Sequence, residues 1–188
     1  MNILLVGVGG QGIILTSKIL AAGLILTGAD VKMSEIHGMS QRGGTVTTQI
    51  RYGERVCSPQ IGEGDADFIV AFEKLEALRA LPFLKEGGHI LADDWEIPSM
   101  PVLTGAARYA HNALDDIRAC GASVTVIPAS RTAAELGNIR AQNIVLLGAL
   151  TRRLGLPEVD WKALVAAHVP PKAVDINVKG FEAGWAGQ

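Results

Sequence analysis

Apolar and polar positions alternate along the chain in blocks that predict strands and helices in turn. Ile3 to Val6 is an unbroken apolar run, the pattern of a strand buried on both faces of a parallel sheet. It leads into Gly7-Val8-Gly9-Gly10-Gln11-Gly12. Beyond that turn, Ile13, Leu15, Ile19, Leu20 and Leu24 supply the apolar contacts of a helix reaching to about Thr27, and Gly28 stops it. Val31 to Ser34 predicts a second strand, so the first 35 residues read as a βαβ unit. Thr45 to Arg51 alternates, with Val46, Thr48 and Ile50 on one face. Tyr52-Gly53-Glu54-Arg55 predicts a tight turn into Val56 and Cys57, hence an antiparallel hairpin.

Further along, Phe68 to Phe72, His89 to Ala92 after a Gly87-Gly88 turn, and Val124 to Ile127 predict three more strands. Helices are expected at Glu73 to Leu81, Arg131 to Leu136, Ala141 to Leu154 with Gly155 as the stop, and Val159 to Ala167. The tail from Pro170 to Gln188 carries apolar residues without a clear helical period. Strands alternating with helices predict a single α/β domain over residues 1–188. It should be Rossmann-like, with a mainly parallel sheet, helices on both faces and one antiparallel hairpin.

Composition narrows the chemistry. With 188 residues, 48% hydrophobic and 19% charged, the chain can bury a proper core, and disorder is excluded. A net charge of −2 leaves no basic footprint for nucleic acid and no polybasic membrane anchor. Met1 to Leu26 is apolar but lacks a basic leader and is interrupted by glycines, Gln11 and Lys18. The expectation is therefore a soluble, cytoplasmic protein. Two cysteines, Cys57 and Cys120, cannot supply the four thiolates of an iron–sulfur cluster. No His, Cys, Asp or Glu cluster has metal-ligand spacing, and Ser17, Ser40 and Cys57 lack the context of a nucleophile. No metal site and no catalytic residue is therefore assigned.

Two glycine-rich stretches carry the candidate site. Gly7, Gly9 and Gly12 match the dinucleotide fingerprint, after a strand and before a helix. Gly9, Gly10, Gln11 and Gly12 could present backbone N–H groups to a diphosphate, or the turn could simply pack tightly. Glu35 stands where a ribose-binding acid would, or fixes the loop that follows. In that loop, Arg42 offers a bidentate fork for an anion, Gly43 and Gly44 allow close backbone approach, and His37 and Gln41 add donors and acceptors. A solvated turn is the alternative. Glu73 marks either the same rim or the N-terminus of a helix. On the residues alone, a free-standing module binding NAD or another nucleotide stays open, as does a simple dehydrogenase.

The stretches Gly7-Val8-Gly9-Gly10-Gln11-Gly12 and Ser34-Glu35-Ile36-His37-Gly38-Met39-Ser40-Gln41-Arg42-Gly43-Gly44 resemble the gamma-type domain of 2-oxoacid:ferredoxin oxidoreductases. Ser58-Pro59, Ala66-Asp67, Phe72 to Arg79 and Asn143 to Ala149 extend the resemblance over nearly the whole chain. The loop ahead of Arg42 is most similar to the branch acting on indolepyruvate. Gly180 stands where alanine is expected. The resemblance implies a small subunit, inactive alone, of an enzyme that converts a 2-oxoacid, CoA and oxidised ferredoxin into acyl-CoA, CO2 and reduced ferredoxin. It also implies that thiamine diphosphate, magnesium and iron–sulfur clusters reside in a large alpha subunit. This chain would dock on that subunit, with ferredoxin reached through the complex and CoA as cosubstrate. The residues from Gly9 to Gly12 and from Glu35 to Gly44 would line the face toward the partner's cofactor or substrate.

Overall fold

In a computed structural model, residues 1–37 and 44–187 are described. Their elements run β1 (Asn2–Val8), α1 (Ile13–Leu26), β2 (Asp30–His37), β3 (Thr45–Gly53), β4 (Ala66–Ala71), α2 (Lys74–Ala80), β5 (Leu84–Asp93), α3 (Met100–Leu103) and α4 (Ala113–Ala119). They continue with β6 (Ser123–Ile127), α5 (Ala129–Glu135), α6 (Gln142–Leu154), α7 (Trp161–His168) and α8 (Val174–Ala186). The strands form one sheet in the order β2-β3-β1-β4-β5-β6. From β1 to β6 it is parallel, whereas β3 runs antiparallel to both β1 and β2.

The alternation of buried positions decides the layers. Ile3 and Leu5 of β1, Ile50, Val70 and Leu91 face a core built with α1, α5, α6, α7 and α8. Leu4, Val6, Ile69, Ala71, Ile90 and Ala92 face the other way, against α2 and α4. Strands buried on both faces must be apolar at every position, which is why these short runs are uniform. Among the described residues no helix is long and apolar enough to cross a membrane.

The α/β architecture, the parallel sheet with helices on both faces and an antiparallel hairpin all match the expectation. Several details differ, among them α3 and α4, where no element was expected. β2 does not lie beside β1; β3 is inserted between them, so the first 35 residues form a split βαβ unit. The hairpin arms are β2 and β3, and no strand follows the Tyr52 to Arg55 turn at Val56 and Cys57. Gly87 and Gly88 lie within β5, not in a turn before it. The tail forms α8, whose packing face is built partly from glycine and so shows no apolar period.

Candidate functional site

All parallel strands end on the same edge of the sheet, and the antiparallel β3 begins there, so the two glycine-rich stretches meet at that edge. Val8 pairs opposite Thr45 and His37 opposite Val46. The Gly9 N–H donates to the Gly44 carbonyl at 2.9 Å, tying the turn after β1 to the start of β3. Gly44 is thus brought beside Gly9, and Gly9, Gly10, Gln11 and Gly12 border an open depression of about 300 Å³ bounded also by Ile14 and Val46. Glu35 pairs opposite Thr48, two residues before β2 ends. It therefore lies within a strand and not at the head of a loop. The His37 side chain, Gln41, Arg42 and Gly43 lie outside the described residues.

The glycine turn is held from inside by protein groups. Gln11, buried, accepts from the Val8 N–H and donates to the Phe72 carbonyl, each at 2.7 Å, clamping the end of β1 to the end of β4. A Cβ on Gly7 would sit 2.8 Å from both the Gln11 amide oxygen and Phe72 Cβ. Gly12 caps α1 at φ +79°, a left-handed conformation, and a Cβ there would meet the Asn143 amide at 2.7 Å. Asn143, on α6, donates to the Gly12 carbonyl at 3.2 Å and to Thr16 Oγ1 at 3.3 Å. Gly7 and Gly12 thus have packing reasons for being glycine.

The inserted β3 alters the dinucleotide geometry. In the doubly wound nucleotide-binding fold the ribose-binding acid ends the strand beside β1. Here a whole strand intervenes, so Glu35 is about two strand spacings, roughly 10 Å, sideways from β1. A dehydrogenase-like grip on a ribose does not follow from this arrangement.

Three polar groupings further along the edge escaped the sequence reading or were left open by it. Glu73 is a helix cap: one oxygen accepts from the Glu76 N–H at 2.9 Å, the other from the Ile97 N–H at 3.2 Å and from the Tyr109 hydroxyl. Burial and the adjacent Glu73 hold the Tyr109 phenol protonated far above its usual range. Next to it, Lys74 pairs with Glu96 at 2.5 Å and Asp94 at 3.4 Å, while His111 lies 3.0 Å from Glu96. Burial pulls the Lys74 ammonium down, but Glu96 and Asp94 outweigh it and raise it. Lys74 and His111 together lower Glu96. At the end of β5, Asp93 accepts from the Ser130 N–H at 2.9 Å and from the Ser130 hydroxyl, which lies 2.6 Å from Gln142 Oε1. Burial pushes Asp93 up to about 6, against the pull of the Ser130 and Ala129 donors. The sequence signal was available: an Asp pair ending a strand, and Gln-Asn opening a helix that must cross the same edge.

Among the described residues no group of three or more His, Cys, Asp or Glu could hold a metal ion. Cys57 and Cys120 are both exposed and free. Two thiols do not make the donor set of an iron–sulfur cluster, so these residues do not fit one.

Residues 2–187 match the family described as pyruvate ferredoxin/flavodoxin oxidoreductase. The chain belongs to that family. Indolepyruvate oxidoreductase subunit IorB of Thermococcus kodakarensis is 39% identical over 190 residues, covering 97% of this chain and 93% of the relative. The subunit of the same name from Methanothermobacter thermautotrophicus is 38% identical over 191 residues, covering 98% and 95%. The gamma subunit of a keto/oxoacid ferredoxin oxidoreductase from Geobacter sulfurreducens, known from a crystal structure, superposes with a TM-score of 0.71. It is 25% identical, with 98% of this chain and 96% of that one covered. As a member of the pyruvate ferredoxin/flavodoxin oxidoreductase family, the chain brings its glycine turn and the start of β3 to one rim of the sheet.

Proposed function

We propose that this chain is the small, gamma-type subunit of an indolepyruvate ferredoxin oxidoreductase. In that reaction indolepyruvate or another aryl pyruvate, CoA and oxidised ferredoxin yield acyl-CoA, CO2 and reduced ferredoxin. Thiamine diphosphate, magnesium and the iron–sulfur clusters belong to a large alpha subunit, which carries the carbanion and electron chemistry. The observation that carries this reading is 39% identity to an indolepyruvate oxidoreductase subunit along nearly the full length of both chains. The geometry is compatible with it: the glycine turn is braced by the chain's own side chains and lies at the sheet edge beside the start of β3. The residues from Gly9 to Gly12 and from Glu35 to Gly44, Arg42 foremost, face the partner's cofactor or substrate in this reading.

The test is reconstitution. The purified chain alone should not reduce ferredoxin with indolepyruvate and CoA, and mixing it with the large subunit should restore turnover. Ferredoxin reduction by the lone chain would overturn the assignment, and a substrate panel favouring pyruvate or 2-oxoglutarate would overturn the aryl preference. Arg42→Ala should lower turnover of the assembled enzyme by about tenfold or more, the effect of losing one charge-assisted contact. Wild-type turnover would remove Arg42 from the site.

A further inference from the structure

The sheet is covered unequally. α1 packs on β2 and β3 from one side, whereas on the other side α2 packs on β1, β4 and β5. Beyond α2, the stretch 54–62 is tied to β3 at Gln49 and Arg51: the Ile61 N–H donates to Gln49 Oε1 at 2.7 Å, and Arg51 holds the Ser58 and Gln60 carbonyls. What remains is a trench of about 190 Å³ between α2 and β3, walled by Val6, Ile36, Thr47 and Phe83, to which α2 contributes Glu76 and Arg79. Ile36, on the edge strand β2, is 52% exposed. Natural sheets seldom leave an apolar residue uncovered on an edge.

Glu76 distinguishes this trench from an ordinary surface hollow. It is only 3% exposed. One carboxylate oxygen is taken by Arg79 and by Thr45 Oγ1 at 3.3 Å, but the other is buried with no donor among the described residues. A buried carboxylate oxygen without a donor bears its full desolvation cost, and native proteins rarely leave one so. Arg79 is half exposed and already committed to the first oxygen.

We propose that this trench is where the large subunit docks, and that Glu76 receives a basic side chain of that subunit, whose alkyl stem lies along Val6, Ile36 and Phe83. The inference rests on the reading of the chain as one subunit of a complex. The charge is complementary, because a Lys or Arg supplies the missing donor and neutralises the acid while its methylenes cover apolar walls. The position suits it too. Thr45 follows Gly44, whose carbonyl accepts from Gly9, so a partner seated here lies beside the glycine rim.

The experiment measures, by calorimetry, the affinity of the full chain for the large subunit that co-purifies with it from its native host. Thr47→Arg, which fills the trench with bulk and positive charge, should weaken binding by about tenfold or more. Glu76→Gln should weaken it about fivefold to tenfold without lowering the thermal midpoint, since the amide oxygen still accepts from Arg79 and the donor-less carboxylate oxygen is removed. Leu26→Arg, at an exposed position on α1, should bind within about twofold of wild type. Wild-type affinity of Thr47→Arg would overturn the docking surface, and a lowered midpoint with unchanged affinity in Glu76→Gln would make Glu76 structural only. If the lone chain dimerises in sedimentation and Thr47→Arg restores the monomer, a second copy is the occupant and the proposal fails. Absence of any complex with the wild-type chain would overturn the heteromeric reading itself, and this inference with it.

Discussion

Gln11 shows how a residue inside a glycine motif can be structural. Its amide joins the ends of two neighbouring strands through two short hydrogen bonds to buried backbone groups. Gln11→Ala leaves both groups without a partner and should cost about 2 kcal/mol or more, read by urea unfolding at pH 7. A change below about 0.5 kcal/mol would mean that the turn holds without it. Asp93 makes a different prediction. Its pKa, raised to about 6 by burial, means that between pH 7 and pH 5 the folded chain takes up a proton that the unfolded chain does not. Stability therefore rises on acidification through this window. Relative to Asp93→Asn, which cannot titrate, wild type should gain about 1 kcal/mol from pH 7 to pH 5. Burial lowers His89, with Arg153 adding to the effect, and this works in the opposite direction. It is common to both proteins and cancels in the comparison, so a difference that stays flat with pH would show that Asp93 remains ionised. The Asp pair that ends β5 was visible in the sequence, but its partner was not, and neither was the partner of Gln11, because each depends on which strand end lies next to which neighbour.

At the scale of elements, legibility followed chemistry that repeats along the chain. Uniform apolar runs marked β1 and β4, and Gly28 and Gly155 marked the ends of α1 and α6, because these signals are local. α8 escaped because its contact with α6 is made by backbone. A Cβ on Gly184 would fall 1.9 Å from the Val145 carbonyl oxygen, and one on Gly148 would fall 2.2 Å from the Phe181 carbonyl oxygen. At Gly148 and Gly184 the two backbones meet with no side chain between them, so the apolar stripe along the tail is interrupted by glycine. Gly184→Ala must push the helices apart and should destabilise by about 3 kcal/mol or more, lowering the denaturant midpoint. Gly180 lies on the same helix but has room: the nearest atom to a new Cβ is Val145 Cγ2, at an ordinary 3.5 Å. Gly180→Ala should therefore stabilise by about 0.5–1 kcal/mol, through helix propensity and a less flexible unfolded chain. Opposite signs for two Gly-to-Ala changes one helical turn apart would establish the close contact. Equal effects would refute it.

For the molecule as a whole, the insertion of β3 is the event that sequence could not show and that shapes the most. Strand content was legible from the alternation at Thr45 to Arg51, but strand order was not, since a strand reads the same whether it pairs with its predecessor or slips between two others. Its placement carries β2 outward to the edge, separates Glu35 from the glycine turn by a further strand, and leaves one face of β2 and β3 without a helix. The same order sets a gradient of stability. β1, β4 and β5 are bonded on both sides and buried on both faces, whereas β2 and β6 each have a single neighbour. Amide exchange in the lone chain should therefore separate into two classes. Leu4, Leu5, Ile69, Val70, Ile90 and Leu91 should exchange only through global unfolding, with protection matching the denaturant-derived stability. Amides of β2 should open locally and exchange at least about tenfold faster, because freeing that strand breaks one ladder and exposes little of the main core. Equal protection in β2 and β1 would mean that the edge is held as firmly as the centre. The three strands β2, β3 and β1 would then form one cooperative unit with the parallel sheet, not a hairpin added to its side.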